Sequence, residues 1–225
     1  MRKFNDKSIQ KYLQNAILQI DKPHIEDRLI GIKFLLKILK KHHVESDNII
    51  HIVIDFIKRN RSLKILNDSE TNPITEISAD IQAALEIIFH PDIDKYLRKE
   101  KIDLSYIDIR GAKLDRANLQ KINLQQSILY QASLIGANLE KANLNGTVLS
   151  AANLSGANLA RSNLSGAILS GANLFSANLN YADLRGANLF LANLQGANLN
   201  GAKLERANPT EANFCNNKAT REVQN

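Results

Sequence analysis

From Asp103 to Phe214 the chain repeats in fives without a slip. With Leu104 taken as a centre, every fifth residue is Leu, except Ile109, Pro209 and Phe214, which gives 23 centres. The residue two before the centre is Ala in 17 of these, and the residue just before it is mostly Asn or Asp. A period of five fits neither a 3.6-residue helix nor a two-residue strand. Strict repetition of this kind calls for a solenoid.

Within such a unit the Leu centre and the Ala two residues earlier point inward, and the other three positions point outward. If four such units close a coil of 20 residues, the next coil stacks at about 4.8 Å with its backbone bonded to the one below. The axis is then filled by side chains, leaving no cavity. Nearly six coils span roughly 25–30 Å.

Units such as Ala-Asn-Leu-Ser-Gly (152–156) and Ala-Asp-Leu-Arg-Gly (182–186) resemble the pentapeptide repeat, A(D/N)LXX. The resemblance implies a right-handed quadrilateral parallel β-helix over 102–216. Nine of the ten glycines stand two after a centre, Gly136, Gly156, Gly166 and Gly196 among them. A corner that needs positive φ explains that placement. The Asn run reads as structural, since amides one coil apart can form ladders and can also bond turn backbone.

Residues 1–101 lack the fivefold register and read as about five helices. Ile9, Tyr12, Leu13, Ala16, Ile17 and Ile20 keep helical spacing and stop before Pro23. A second helix runs from about His24 through Leu39 to Lys40 and Lys41, where positive charge suits a C-terminus. A third opens at Ser46 or Asp47 and carries Ile49, Ile50, Val53, Ile54 and Ile57. Asn67 to Asn72 reads as a loop, Pro73 as the start of a fourth helix reaching Pro91, and 92–100 as a short fifth. The stretches 28–32, 54–59 and 80–85 resemble the helical region that precedes the repeats in many bacterial pentapeptide-repeat proteins. Such a block would cap the first coil, whose end otherwise exposes apolar centres and unpaired backbone. Ile102, Ile107 and Ile122 replace the small inward residue only in the earliest coils, where they suit a helical layer. Residues 217–225 read as a flexible tail.

The formal charge is +6, but residues 102–216 carry nine Lys or Arg against seven Asp or Glu. No region is basic enough to mark a nucleic-acid binder. The single cysteine, Cys215, excludes an internal disulfide and suits a reducing compartment. No run approaches 18 apolar residues and Met1 to Gln10 lacks a signal-peptide core, so the expectation is a cytoplasmic protein with no membrane contact.

Chemistry is sparse. His42, His43 and His51 have no partners completing a metal set, and no His follows His90 to activate Cys215. There is no phosphate loop or dinucleotide fingerprint. The reading is a non-enzyme without cofactor, metal or catalytic residues.

The outward positions are more informative. Ile128, Val148 and Ile168 replace the usual Asn at positions 20 apart, the only apolar residues at that position in the repeat, with Tyr130, Phe190 and Leu191 beside them. A contiguous apolar stripe marks an interaction surface. It would take an unidentified protein partner or a second copy of the chain, unless the helical block covers it or the β-branched ladder serves β-propensity alone. Ile135 and Phe175 are outward on the next face. A line of Lys121, Lys141 and Arg161 is a weaker candidate for an anionic partner. The expected function is therefore a non-catalytic interaction, scaffold or regulatory role. Two alternatives exist. The resemblance implies a DNA-mimic modulator of DNA gyrase, which the net positive repeat disfavours; the basic line suggests a weak nucleic-acid binder.

Overall fold

A computed structural model describes residues 6–41, 46–63, 77–89 and 102–217. The chain divides into two compact units, one of Met1–Asn60 with Ile77–Glu100 and one of Arg61–Glu76 with Lys101–Asn225.

The first unit holds four helices among its described residues: α1 (Asp6–Ile20), α2 (Ile25–Lys41), α3 (Ser46–Arg61) and α4 (Ala79–Ile88). Each has an apolar stripe at helical spacing that forms the core: Leu13, Ala16 and Ile20 on α1, Ile32, Leu35 and Leu39 on α2, Ile49, Val53 and Phe56 on α3, Ile81, Leu85 and Ile88 on α4. Helix α2 packs against both α1 and α4. Gly31 allows α2 to approach α1, because a Cβ there would lie 2.7 Å from the Ala16 carbonyl oxygen.

The sequence placed the start of the fourth helix at Pro73, but α4 begins at Ala79. Ser78 has extended backbone (φ −67°, ψ 148°), and its carbonyl accepts the first helical bond from the Gln82 N–H at 3.0 Å. An N-cap residue has this conformation, so the helix cannot extend upstream through it. The loop expected at 67–72 and the fifth helix expected at 92–100 lie outside the described residues, as do His42, His43 and 218–225.

In the second unit the five-residue register becomes a parallel ladder. Residues 20 apart are bridged from Asp103↔Asn123 to Asn193↔Asn213. Among the described residues no continuous strand forms; each bridge is a single residue between two turns. Three backbone bonds per unit join successive coils, as with Leu159 N–H to Asn178 O (2.7 Å), Arg161 N–H to Asn180 O (2.9 Å) and Asn178 N–H to Ala157 O (2.9 Å). A fourth closes each turn, as from Ala157 N–H to Leu154 O.

Inward residues are sealed. Leu154, Leu159 and Ala157 have no exposed area. Where the small inward position is a hydroxyl residue, the hydroxyl is satisfied by a carbonyl: Ser127 Oγ donates to Leu104 O and Thr147 Oγ1 to Leu124 O, both at 2.9 Å. The corner two after each centre has positive φ in all 23 units, at nine glycines and fourteen other residues. Coil geometry, rather than glycine, therefore dictates that conformation, and residues such as Ala151 (φ 55°) and Leu191 (φ 57°) are held in it.

A short segment covers part of the first coil. Ser62 bridges Ile107 in antiparallel sense, with Leu63 N–H bonded to Tyr106 O and Asp108 N–H to Arg61 O, both at 2.8 Å. At the other end the last coil is open. Leu204 and Phe214 are half-buried and Pro209 is exposed, whereas Leu199 one coil earlier is sealed.

Candidate functional site

Most residues just before a centre carry an amide or carboxylate that bonds twice. Asn158 Oδ1 accepts the backbone N–H of Ala160 (3.3 Å), and its Nδ2 donates to Asn138 Oδ1 one coil above (3.1 Å). The same pair of bonds recurs at Asn178 and at Asn143. Each such residue caps its own corner and ties two coils together.

One column breaks this pattern for three consecutive coils. Ile128, Val148 and Ile168 are bridged in series, between Asp108 above and Asn188 below. Asp108 caps Arg110 N–H and Asn188 caps Phe190 N–H, each at 3.1 Å. Among the described residues the intervening N–H groups of Tyr130, Ser150 and Ser170 have no acceptor, because aliphatic side chains stand where the oxygens would be. The stripe thus gives up, in three coils running, hydrogen bonds that most of the solenoid makes.

The stripe faces outward. Ile168 is 40% exposed, while Ile128, Val148 and Tyr130 are half-buried. Phe190 and Leu191 close its lower end at 37% and 52% exposure. Between Tyr130 and Phe190 the same corner holds only Ser150, Ala151, Ser170 and Gly171. Residues 123–133, 143–153 and 163–173 contain no charged side chain; at their rim Asp103 accepts from Asn123 and Asp115 from Ser133, and the ion pairs Asp108–Arg110 and Asp183–Arg185 are each 2.6 Å. The guanidinium hydrogen bond of Arg185 holds the Asp183 carboxyl below its usual range.

The basic line is placed as its spacing requires, but its charge is partly committed. Lys121, Lys141 and Arg161 are all exposed. Lys141 Nζ lies 3.0 Å from Glu140 Oε1, and Gln120 Nε2 donates to Glu140 Oε2 at 3.0 Å. The Lys141 bond, followed by that from Gln120, lowers the Glu140 pKa. The Arg161 guanidinium lies 6.0 Å from the Tyr181 ring centroid, which continues the same column one coil on. Tyr181 was legible from the 20-residue spacing as the next rung.

Elsewhere, Ile135 and Phe175 are exposed in their own column. An open groove of about 440 Å³ in the helical unit is lined by Ile17, Ile20, Ile52, Asp55, Lys58 and Arg59. Cys215 is exposed as a free thiol. Among the described residues no group of His, Cys, Asp or Glu could hold a metal ion, and no helix is long and apolar enough to cross a membrane.

The profile of the family "Pentapeptide repeats" matches residues 107–150, 152–189 and 192–221, in 8 copies. Among solved structures, a pentapeptide repeat protein from Nostoc PCC 7120 is 36% identical, over 50% of this chain and 84% of that one, with a TM-score of 0.36. One from the thylakoid lumen of Arabidopsis thaliana is 32% identical, covering 45% and 68%, with a TM-score of 0.33. Rfr23 from Cyanothece 51142 is 27% identical, covering 51% and 88%, with a TM-score of 0.31. No curated protein matches the chain significantly.

Proposed function

This chain belongs to the pentapeptide-repeat family, and we propose that it is a non-catalytic interaction protein whose docking surface is the column Ile128–Val148–Ile168. In this reading the β-helix is four-sided, each five-residue unit forms one side, and this column runs down the middle of one flat face. The helical region to residue 101 and a tail from 217 flank that solenoid, and the single thiol of Cys215 suits a cytoplasmic setting.

The observation that carries the reading is the run of three uncapped corners. Asn at these positions would cap the N–H groups of Tyr130, Ser150 and Ser170, as Asn188 caps Phe190 in the same column and Asn158 and Asn178 cap their corners on another side. Each forgone bond is worth about 0.5–1.5 kcal/mol. Their loss in three successive coils, within a charge-free zone edged by aromatics, matches the composition of an interface core. On a solvated surface that exchange returns only the β-propensity of Ile and Val, within about 1 kcal/mol per site.

Two other readings are weaker. Mimicry of DNA requires rows of acidic side chains, and no two acidic residues stand in one column in adjacent coils. A nucleic-acid contact through Lys121, Lys141 and Arg161 is opposed by Glu140, which neutralises the middle of that line.

The test is affinity capture from the native cell with the wild type and with Ile128→Asn, Val148→Asn, Ile168→Asn combined. Partner recovery should fall by at least tenfold while circular dichroism stays unchanged. Equal recovery by a folded triple variant would remove the stripe as the docking surface.

A further inference from the structure

We propose that the occupant of this face is a second copy of the chain, docked antiparallel across a two-fold axis through the coil of Val148. The proposal rests on the preceding reading of the stripe as an interface and names its partner.

An isologous contact requires a surface that fits itself after rotation. The coil stack makes the rotation simple to follow. A half-turn about an axis lying in the face, perpendicular to the stack and along one coil, keeps every outward column against itself. It reverses coil order, so the coil of Asp108 meets that of Asn188, the coil of Ile128 meets that of Ile168, and Val148 meets Val148.

Large side chains then meet small ones along both edges of the face. On one edge, Tyr106 falls opposite Gly186 and Gln126 opposite Gly166, with Gly146, over which the Gln126 amide folds, on the axis. A Cβ added at Gly166 or Gly186 meets nothing within 4 Å, so both positions leave open space for a large residue opposite. On the other edge, Tyr130 falls opposite Ser170 and Gln131 opposite Gly171, another open position. Leu191, 52% exposed, falls opposite Gly111. The axis itself passes Ser150 and Ala151, which are small enough to face their own copies. Alternation of large and small residues across facing positions is what lets two surfaces interdigitate.

Charge agrees with size. The only charged residues on this face within the five coils are Asp108, Arg110 and Arg185, which meet Asn188, Phe190 and Ser105 respectively. No like charges are brought together, and Arg110 is set against an aromatic face. A parallel two-fold would swap the two edges, turning Gln126 toward Tyr130 and Tyr106 toward Arg110, large side chains against large ones.

Five coils at about 4.8 Å give a patch about 24 Å tall and one face wide, which keeps the total buried area below about 1,200 Å². That size class gives weak complexes, so the dimer should be a micromolar one.

Sedimentation equilibrium of the full chain, from about 10 to about 500 µM, should show a reversible monomer–dimer transition. Ser150→Glu and Ser150→Lys each place like charges face to face on the axis, and each alone should weaken the dimer at least tenfold. An equimolar mixture of the two should restore it as a heterodimer, which only a two-fold through this coil explains. Gly166→Asn, at a corner where Asn tolerates positive φ, fills the space opposite Gln126 and should also weaken association without unfolding. A wild type that stays monomeric over the whole range, or charge variants that fail to rescue each other, would overturn the proposal. A monomeric wild type whose stripe variant still loses a captured protein would leave the docking surface standing and dismiss only self-association.

Discussion

Arg28 and Asp80 are 52 residues apart in the chain, yet Arg28 Nε donates to Asp80 Oδ2 at 2.6 Å. Asp80 is almost fully buried in the first turn of α4, and Arg28 also donates from Nη1 to the carbonyls of Lys22 and Pro23. One guanidinium therefore joins α2, the α1–α2 connection and α4. Burial opposes ionisation of Asp80, but hydrogen bonds from Ser78 and Arg28, with the charge of Arg28, outweigh it and lower the pKa. A carboxyl lowered on folding contributes stability above its unfolded value of about 3.9, and that contribution is lost as pH falls through the folded value. Thermal melts of the wild type should thus fall below about pH 4. Asp80→Asn should cost about 3 kcal/mol at neutral pH, and the gap between the two proteins should narrow on acidification. A gap that does not change with pH would show that the pair is not ionised in the fold.

The coil interior sets the second expectation. Leu159 lies at the centre of the stack with no exposed area and is enclosed by coils on both sides. Leu159→Ala removes its contacts and leaves a cavity that bonded backbone on either side cannot close. Urea unfolding should show a loss of roughly 2–5 kcal/mol. Leu204→Ala, in the open last coil, should cost less than half as much.

Backbone strain supplies the third. Ala151 is held at φ 55° by the corner, a region that Gly enters freely. Ala151→Gly should stabilise the protein by about 1 kcal/mol, the reverse of the effect in a helix. A loss of stability would mean that the Ala151 methyl group makes packing contacts that outweigh the strain.

Architecture was legible in the sequence because the inward pair at each unit leaves a period that no other structure shares. The 20-residue bridges follow once the resemblance to pentapeptide repeats supplies four units per coil, and so do the columns that hold Ile128, Val148 and Ile168. Other features were not legible. Positive φ at Tyr181 or Leu191 is imposed by neighbouring coils and has no local signature in those residues. The Arg28–Asp80 pair depends on how helices pack, and no periodicity reports a contact over 52 residues. The start of α4 was misread because Pro is a common first helical residue, whereas the chain uses Ser78 as its cap. The significance of the stripe was only half visible. Its apolar character is in the sequence, but the uncapped N–H groups of Tyr130, Ser150 and Ser170 emerge only once the Asn bonds around them are seen.

Those uncapped groups give the last prediction. Asn at 128, 148 and 168 restores three corner caps and rejoins the amide ladder from Asp108 to Asn188, whose distances elsewhere are 2.7–3.5 Å. Each net hydrogen bond contributes about 0.5–1.5 kcal/mol, toward the lower end on an exposed surface. Against this stands the β-propensity of Ile and Val, a difference within about 1 kcal/mol per site. In the isolated monomer the caps win, and the triple variant should melt a few degrees above the wild type at low protein concentration. At high concentration the wild type gains the dimer contact by mass action and the order should reverse. If the chain itself covers the stripe, the triple variant instead buries three amides against an apolar surface and melts lower at every concentration. Differential scanning calorimetry at two concentrations separates these cases, and a lower melting point at both would mean that the stripe is part of the core.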